Sequence, residues 1–311
     1  MSEPQPREAP RSSHALVPVG AADDAAIPAR WPLWLIATLP RHLLSHLAGA
    51  FARYRFPPAL QQRLNRGYVR SFGVDASEAE FGVGSYPSIQ ALFTRRLREG
   101  ARPVDESVGS LVSPVDGAWG EAGLADGDRA IQVKGRDYSL RALLGGGTRA
   151  EAFVGGSFAT FYLSPRDYHR IHSPVDGEVR TALYLPGSLW PVNQRAVHHV
   201  ADLFARNERL VLFFDAPAGP VALVAVGATM VGRTVLVFDD LHTNARARRR
   251  DERSYDGVPF RRGQELARFE FGSTVVLVLG PGVGTFDVAS PGTPLRMGER
   301  VGGLSTTERA S

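Results

Sequence analysis

Three residues that together can activate a hydroxyl occur in this 311-residue chain. Asp116 stands in Ser113-Pro114-Val115-Asp116-Gly117, His172 ends Tyr168-His169-Arg170-Ile171-His172, and Ser273 lies in Phe271-Gly272-Ser273-Thr274. A carboxylate that orients an imidazole, an imidazole that moves a proton near neutrality and a hydroxyl that attacks make up the set that turns serine into a nucleophile on any fold. Taken singly, each has a plainer reading. The pentapeptide of Asp116 recurs as Ser173-Pro174-Val175-Asp176-Gly177, so both copies can be equivalent turns of a pseudo-repeated β fold. A Gly-Ser step at the mouth of an apolar strand can be a bend. His169 can be a structural histidine of the core. The pairs His169/His172 and His198/His199 do not complete a zinc set, which needs three or four protein ligands, and no metal is expected.

What the chain lacks narrows the chemistry further. With no cysteine there is no thiol nucleophile, disulfide, iron–sulfur cluster or Cys-ligated zinc. All basic residues but Lys134 are arginine, so a pyridoxal-phosphate enzyme would have to use that one lysine, in the turn-like Val133-Lys134-Gly135-Arg136. The net charge of +4 suits either nucleic acid or an anionic membrane surface, and composition does not choose.

The elements that must position these residues fall into three parts. Residues 1–30, rich in Ala, Pro, Ser and charge, read as a disordered arm without the apolar stretch of a secretory signal. Residues 31–102 read as a helical, membrane-associating region. Its apolar run before Pro40 is about half of the ~20 residues a spanning helix needs. Leu43, Leu44, Leu47 and Phe51 recur at helical spacing beside Arg41, Arg53 and Arg55, after Trp31 and Trp34. That stripe fits a helix in the membrane interface and equally one packed on a core. Helices are expected over 63–70 and 89–97, the second capped by Ser88. From 103 to 311 short apolar runs alternate with Gly, Pro and Asp turns, which predicts strands at 158–163, 210–214, 221–226, 235–238 and 274–279. The expected fold is α+β, with a mainly antiparallel β catalytic core.

In order and approximate spacing the two Pro-Val-Asp-Gly copies, Tyr168-His169-Arg170-Ile171-His172, Asn207-Glu208-Arg209, Val226-Gly227-Ala228-Thr229-Met230-Val231-Gly232 and Phe271-Gly272-Ser273-Thr274 resemble the bacterial phosphatidylserine decarboxylases. The likeness runs from about Leu35 to about Gly298; Phe271 stands where the family usually has leucine. The resemblance implies a proenzyme in which Asp116 orients His172, His172 deprotonates Ser273, and Ser273 attacks the Gly272 carbonyl. Cleavage between 272 and 273 then leaves a β chain ending at Gly272 and an α chain headed by a pyruvoyl group made from Ser273. That carbonyl would form a Schiff base with the amine of phosphatidylserine and accept the electrons left when CO2 departs, giving phosphatidylethanolamine in phospholipid biosynthesis. His169 matches the expected proton donor. Asn193 and residues 203–209 match positions near the substrate region without individual roles.

The same resemblance implies a peripheral protein on the cytoplasmic face of the cell membrane, with an anionic lipid surface as partner, room for a homodimer, and no nucleic acid. It favours an interfacial anchor at 31–51, where each arginine near anionic lipid contributes on the order of 1 kcal/mol. The Arg246–Arg250 run can assist or simply be a solvated loop. Other classes stay open beside it. A serine hydrolase would use the triad without cleavage, although the G-x-S-x-G elbow is missing. A biotinyl- or lipoyl-type carrier would explain the repeat and would use Lys134. A pyruvoyl enzyme for a soluble amino acid would lack the amphipathic N-terminus.

Overall fold

The computed structural model describes residues 49–133, 136–192, 194–228, 233–244, 249–270, 274–287 and 289–305. Gly272 and Ser273, Lys134, Asn193, the 246–248 stretch and nearly all of the 31–51 segment lie outside them.

The described chain begins with helix α1 (Pro58–Phe72) and helix α2 (Ile89–Phe93). Pro58 opens α1 at a position where a missing N–H costs nothing, and Gly73 closes it in the left-handed conformation at φ 66°. The inward face of α1 is polar. Gln61 donates to Asn65, and Asn65 donates to the carbonyls of Val83 and Tyr86, which ties the helix to the loop ahead of α2. Ser88 caps α2 by accepting from Ala91 N at 3.1 Å, as its sequence position predicts. The helix stops at Phe93 rather than continuing to 97, because Arg170 draws the carbonyls of Thr94 and Arg95 towards the sheet domain.

The β-rich part follows in chain order. It runs β1 (Ser110–Val112), β2 (Gly117–Leu124), β3 (Arg129–Val133), β4 (Arg136–Ser139), α3 (Leu140–Leu143), α4 (Gly147–Glu151), β5 (Ser157–Tyr162), β6 (Arg170–His172) and β7 (Gly177–Leu185). Then come α5 (Gln194–His199), α6 (Leu203–Arg206), β8 (Arg209–Ala216), β9 (Gly219–Val226), β10 (Thr234–Leu236), β11 (Asp251–Phe260), β12 (Glu265–Phe269), β13 (Thr274–Leu279), β14 (Gly284–Phe286), β15 (Pro294–Leu295) and β16 (Arg300–Leu304). Eight strands form one sheet in the order β11-β7-β8-β9-β13-β5-β2-β15, all neighbours antiparallel. Two three-stranded sheets, β1-β16-β14 and β10-β12-β6, and the β3-β4 hairpin complete it. The α+β class with a mainly antiparallel core is therefore the observed one.

The central strands carry apolar side chains on both faces because both faces of the large sheet are covered. Successive side chains of a strand point to opposite faces. Val275, Leu277 and Leu279 of β13 enter one core with Leu111, Ile171, Leu266, Phe269 and Val301 from the two small sheets. Val276 and Val278 enter a second core with Tyr138, Leu140 and Phe204 from the hairpin and short helices and Phe153 from the turn after α4. Strand β13, which follows Ser273 directly, thus lies mid-sheet between β5 and β9, with Thr274 opposite Tyr162 and Val226. Among the described residues no helix is long and apolar enough to cross a membrane.

Candidate active site

The twin pentapeptides are built alike. Ser113 and Ser173 each donate from Oγ to the carbonyl of the valine two residues on, at 2.6 and 2.7 Å. The copies are also cross-linked reciprocally, His172 N to Pro114 O and Val112 N to Pro174 O. Each copy faces a tight turn, Arg296-Met297-Gly298-Glu299 or Arg261-Arg262-Gly263-Gln264. Asp116 Oδ1 accepts from Met297 N and Asp176 Oδ1 from Arg262 N, both at 2.9 Å. Gly298 N donates to Ser113 O, and Gly263 N to Ser173 O. Both turn glycines have positive φ, 90° and 79°, which favours a residue without Cβ. The repeat is thus a local pseudo-two-fold, and capping a turn is a structural task that both aspartates share.

The symmetry breaks around the candidate residues. Asp176 is exposed, whereas Asp116 is buried and clamped by Arg102, whose Nε reaches Oδ1 at 2.8 Å and whose Nη2 reaches Oδ2 at 2.5 Å. Arg102 Nη2 also donates to Glu78 at 2.8 Å. Where one half has Val112, the other has His172. Its Nδ1 lies 2.7 Å from Gly263 O, and since a carbonyl only accepts, Nδ1 carries the proton and Nε2 accepts from Tyr168 Oη at 3.1 Å. Burial pushes the His172 pKa below its ordinary value, with the Asp116 and Glu265 charges opposing. In this arrangement His172 is oriented by Gly263, and Asp116 reaches it only through its field. Burial also holds Tyr168 protonated, so it remains a donor.

His169 is fully buried. Its Nδ1 donates to Asp167 O at 2.9 Å, its ring lies on Phe93 with centroids 3.9 Å apart, and Nε2 has no hydrogen-bond partner. Desolvation pushes its pKa down to about 3, against the pull of the Asp167 carbonyl, so the ring is neutral with a free lone pair on Nε2. The backbone carries this residue to the segment before Ser273: Phe269 N donates to His169 O at 2.9 Å, and Glu270 N to Arg233 O at 2.7 Å. Glu270 and Thr274, the described residues on either side of the Gly272–Ser273 bond, are both buried.

The Asn207-Glu208-Arg209 motif holds loops. Asn207 bonds both backbone groups of Trp190 and the carbonyl of Gly227. Glu208 accepts from Tyr184 Oη and from Asn244 N. Arg209 is buried, its pKa pushed down to about 10 by desolvation, and its guanidinium closes the carbonyl ends of α3 at Ala142 and Leu143. Sequence reading missed Arg95, Arg102 and Gly263. None sits in a pattern with chemical meaning, and each gains its role from residues distant in the chain.

Two buried imidazoles, His169 and His172, lie within a paired, strand-rich scaffold, and among the described residues no group of three or more His, Asp or Glu side chains is placed to hold a metal ion. The phosphatidylserine decarboxylase family model matches residues 89–303. The phosphatidylserine decarboxylase proenzyme of Anaeromyxobacter sp. (strain K) is 44% identical over 273 residues, covering 86% of this chain and 96% of that protein. That of Myxococcus xanthus is 40% identical, covering 86% and 96%, and that of Pseudomonas fluorescens 42%, covering 85% and 94%. The chain belongs to the phosphatidylserine decarboxylase family.

Proposed function

We propose that the chain cleaves itself between Gly272 and Ser273 and then decarboxylates phosphatidylserine to phosphatidylethanolamine at the lipid surface. The observation that carries this reading is the buried, unpartnered Nε2 of His169 on a segment bonded to Phe269, three residues from the bond. A bare buried acceptor costs stability unless a ligand uses it.

In the first reaction His172 takes the Ser273 hydroxyl proton on Nε2, the atom that now accepts from Tyr168. Ser273 Oγ attacks the Gly272 carbonyl, the C–N bond breaks and an ester forms. Loss of the Ser273 α-proton expels the Gly272 carboxylate, and water converts the remaining enamine to a carbonyl with release of ammonia. Gly263 keeps Nε2 of His172 free of a proton by holding the other on Nδ1. Asp116 assists by its charge, which favours the imidazolium.

The residues near the bond fit a pyruvoyl group, because its chemistry asks for a neutral base and a dry wall, and His169 supplies the first in a fully buried setting. Such a carbonyl at position 273 supplies a sink for the electron pair left as the carboxylate departs. His169 Nε2 delivers a proton to Cα after the carboxylate has left, and it gains that proton as the substrate's anionic groups offset the desolvation that otherwise keeps the ring neutral. Its role as proton donor therefore depends on its first being an acceptor.

For the lipid surface, the support is a set of exposed aromatic and arginine side chains at the N-terminal end. Phe51, Tyr54, Phe72 and Phe81 are exposed, and Arg53, Arg55, Arg63, Arg66 and Arg70 accompany them. That combination suits headgroup-level contact with an anionic leaflet, which for this class of lipid is the cytoplasmic one. An intact-mass measurement tests the reading. Two fragments divided after residue 272, with a pyruvoyl mass at residue 273, are expected, and Ser273→Ala should stay whole and release no CO2 from phosphatidylserine. A single intact wild-type chain refutes it.

A further inference from the structure

Two more bare polar atoms belong to Arg95, whose charge acts on His169. Arg95 is 4% exposed, and although its Nη2 donates to Arg166 O at 3.0 Å, its Nε and Nη1 have no partner. The backbone around it is pinned to the segment that carries His169: Arg170 Nε donates to Thr94 O at 3.1 Å, Tyr68 Oη to Pro165 O at 2.7 Å, and Phe93 covers the imidazole. The positive charge of Arg95 is felt at His169, whose pKa it lowers. The nearby acids are committed elsewhere, Asp116 to Arg102 and Met297, and Asp167 Oδ2 to Ser164. A guanidinium stays charged under these conditions, and leaving two of its N–H groups buried and bare is expensive unless an anion completes them.

We propose that Arg95 binds the phosphodiester of the substrate headgroup and so fixes the substrate Cα against His169. The inference rests on the decarboxylase reading. Of the two anions the headgroup carries, the carboxylate loses its charge as CO2 leaves, so an arginine pairing with it would hold the ground state more tightly than the transition state and slow the reaction. The phosphodiester keeps its charge throughout. Only one carbon and one oxygen separate Cα from phosphorus, and a planar fork of N–H donors suits phosphate oxygens. Because Arg95 is shielded from the outer surface, the anion reaches it by entering the contact between residues 93–95 and 165–169.

The test uses processed wild-type, Arg95→Gln and Arg95→Lys enzyme in mixed micelles of non-ionic detergent, with cleavage checked by mass. For Arg95→Gln the KM for phosphatidylserine should rise about 10- to 100-fold, the range for losing charge-assisted hydrogen bonds to an anion, with kcat changed far less. Inhibition by phosphatidylethanolamine, which keeps the phosphodiester and lacks the carboxylate, should weaken by the same factor. Arg95→Lys should fall between the two. A raised KM with unchanged phosphatidylethanolamine inhibition would assign Arg95 to the carboxylate and overturn the proposal, and so would a processed Arg95→Gln with both constants unchanged. Should Arg95→Gln fail to fold, Arg95→Lys carries the same two comparisons. In the wild type, glycerophosphoethanolamine should inhibit at least tenfold better than ethanolamine, and equal inhibition also overturns it. A wild-type enzyme that releases no CO2 from phosphatidylserine fails at the earlier step, the decarboxylase reading itself.

Discussion

Replacing Asp116 and Asp176 by asparagine separates a shared structural role from a role held by one. Both aspartates cap a turn through one backbone N–H at 2.9 Å. Asp116 alone also faces Arg102, with side chains only 8% and 10% exposed. Removing one partner of a buried ion pair costs about 3–5 kcal/mol, since the other charge stays buried. Glu78 remains bonded to Arg102 and offsets part of that cost, so Asp116→Asn should destabilise by about 3 kcal/mol. Asp176→Asn keeps its capping oxygen at an exposed site, and its cost should stay under about 1 kcal/mol. Urea unfolding in a Ser273→Ala background, where chain number cannot change, is the assay. A cycle with Arg102→Gln should return a coupling of about 2 kcal/mol or more. Equal stabilities for the two asparagine variants, or a coupling under about 0.5 kcal/mol, would refute the argued asymmetry. With Ser273 intact, a folded Asp116→Asn that cleaves at the wild-type rate would leave Asp116 only the turn and the arginine.

Two further outcomes follow from burial. His169 is held neutral in the fold with a pKa of about 3, against about 6.5 when unfolded, so below pH 6.5 the unfolded chain binds a proton that the folded one refuses and stability falls with pH. His169→Gln removes that loss, and its stability relative to wild type should improve by about 1.4 kcal/mol for each pH unit between 6 and 4, in the Ser273→Ala background; a difference independent of pH would contradict it. Leu277 of β13 is fully buried, so Leu277→Ala should lower stability by about 2–5 kcal/mol, read as a shift of the urea midpoint. A change under about 1 kcal/mol would mean that the core collapses around it.

The elements legible in the sequence are those whose burial is decided locally. The runs at 210–214, 221–226 and 274–279 fall within β8, β9 and β13, and they read clearly because a strand covered on both faces needs no polar alternation. Boundaries set by distant residues were not legible. The run at 235–238 stops at Leu236, where Val237 N turns to Leu266 O and its side chain is 44% exposed. Helix α2 ends early for the sake of Arg170. At the site, the types of Asp116 and His172 could be read, but not their partners, since Arg102, Gly263 and Tyr168 meet them through the fold.

The pentapeptide repeat shows why residue type alone was an incomplete guide. Its two copies are identical over five residues and share their serine bond, their cross-links and their capped turns, so nothing within them distinguishes a catalytic aspartate from a turn aspartate. The difference comes from outside the repeat. Residue 172 is histidine where its counterpart 112 is valine, and Arg102, arriving from the N-terminal segment, reaches Asp116 while Asp176 stays exposed. Each copy carries one deviation, the clamped Asp116 on the first and His172 at the head of the second. A symmetrical scaffold gives rigidity, because every turn is held by the same bonds twice. Among the described residues it is Arg102, arriving from the N-terminal segment, that makes Asp116 differ from Asp176, since its charge reaches the first copy alone.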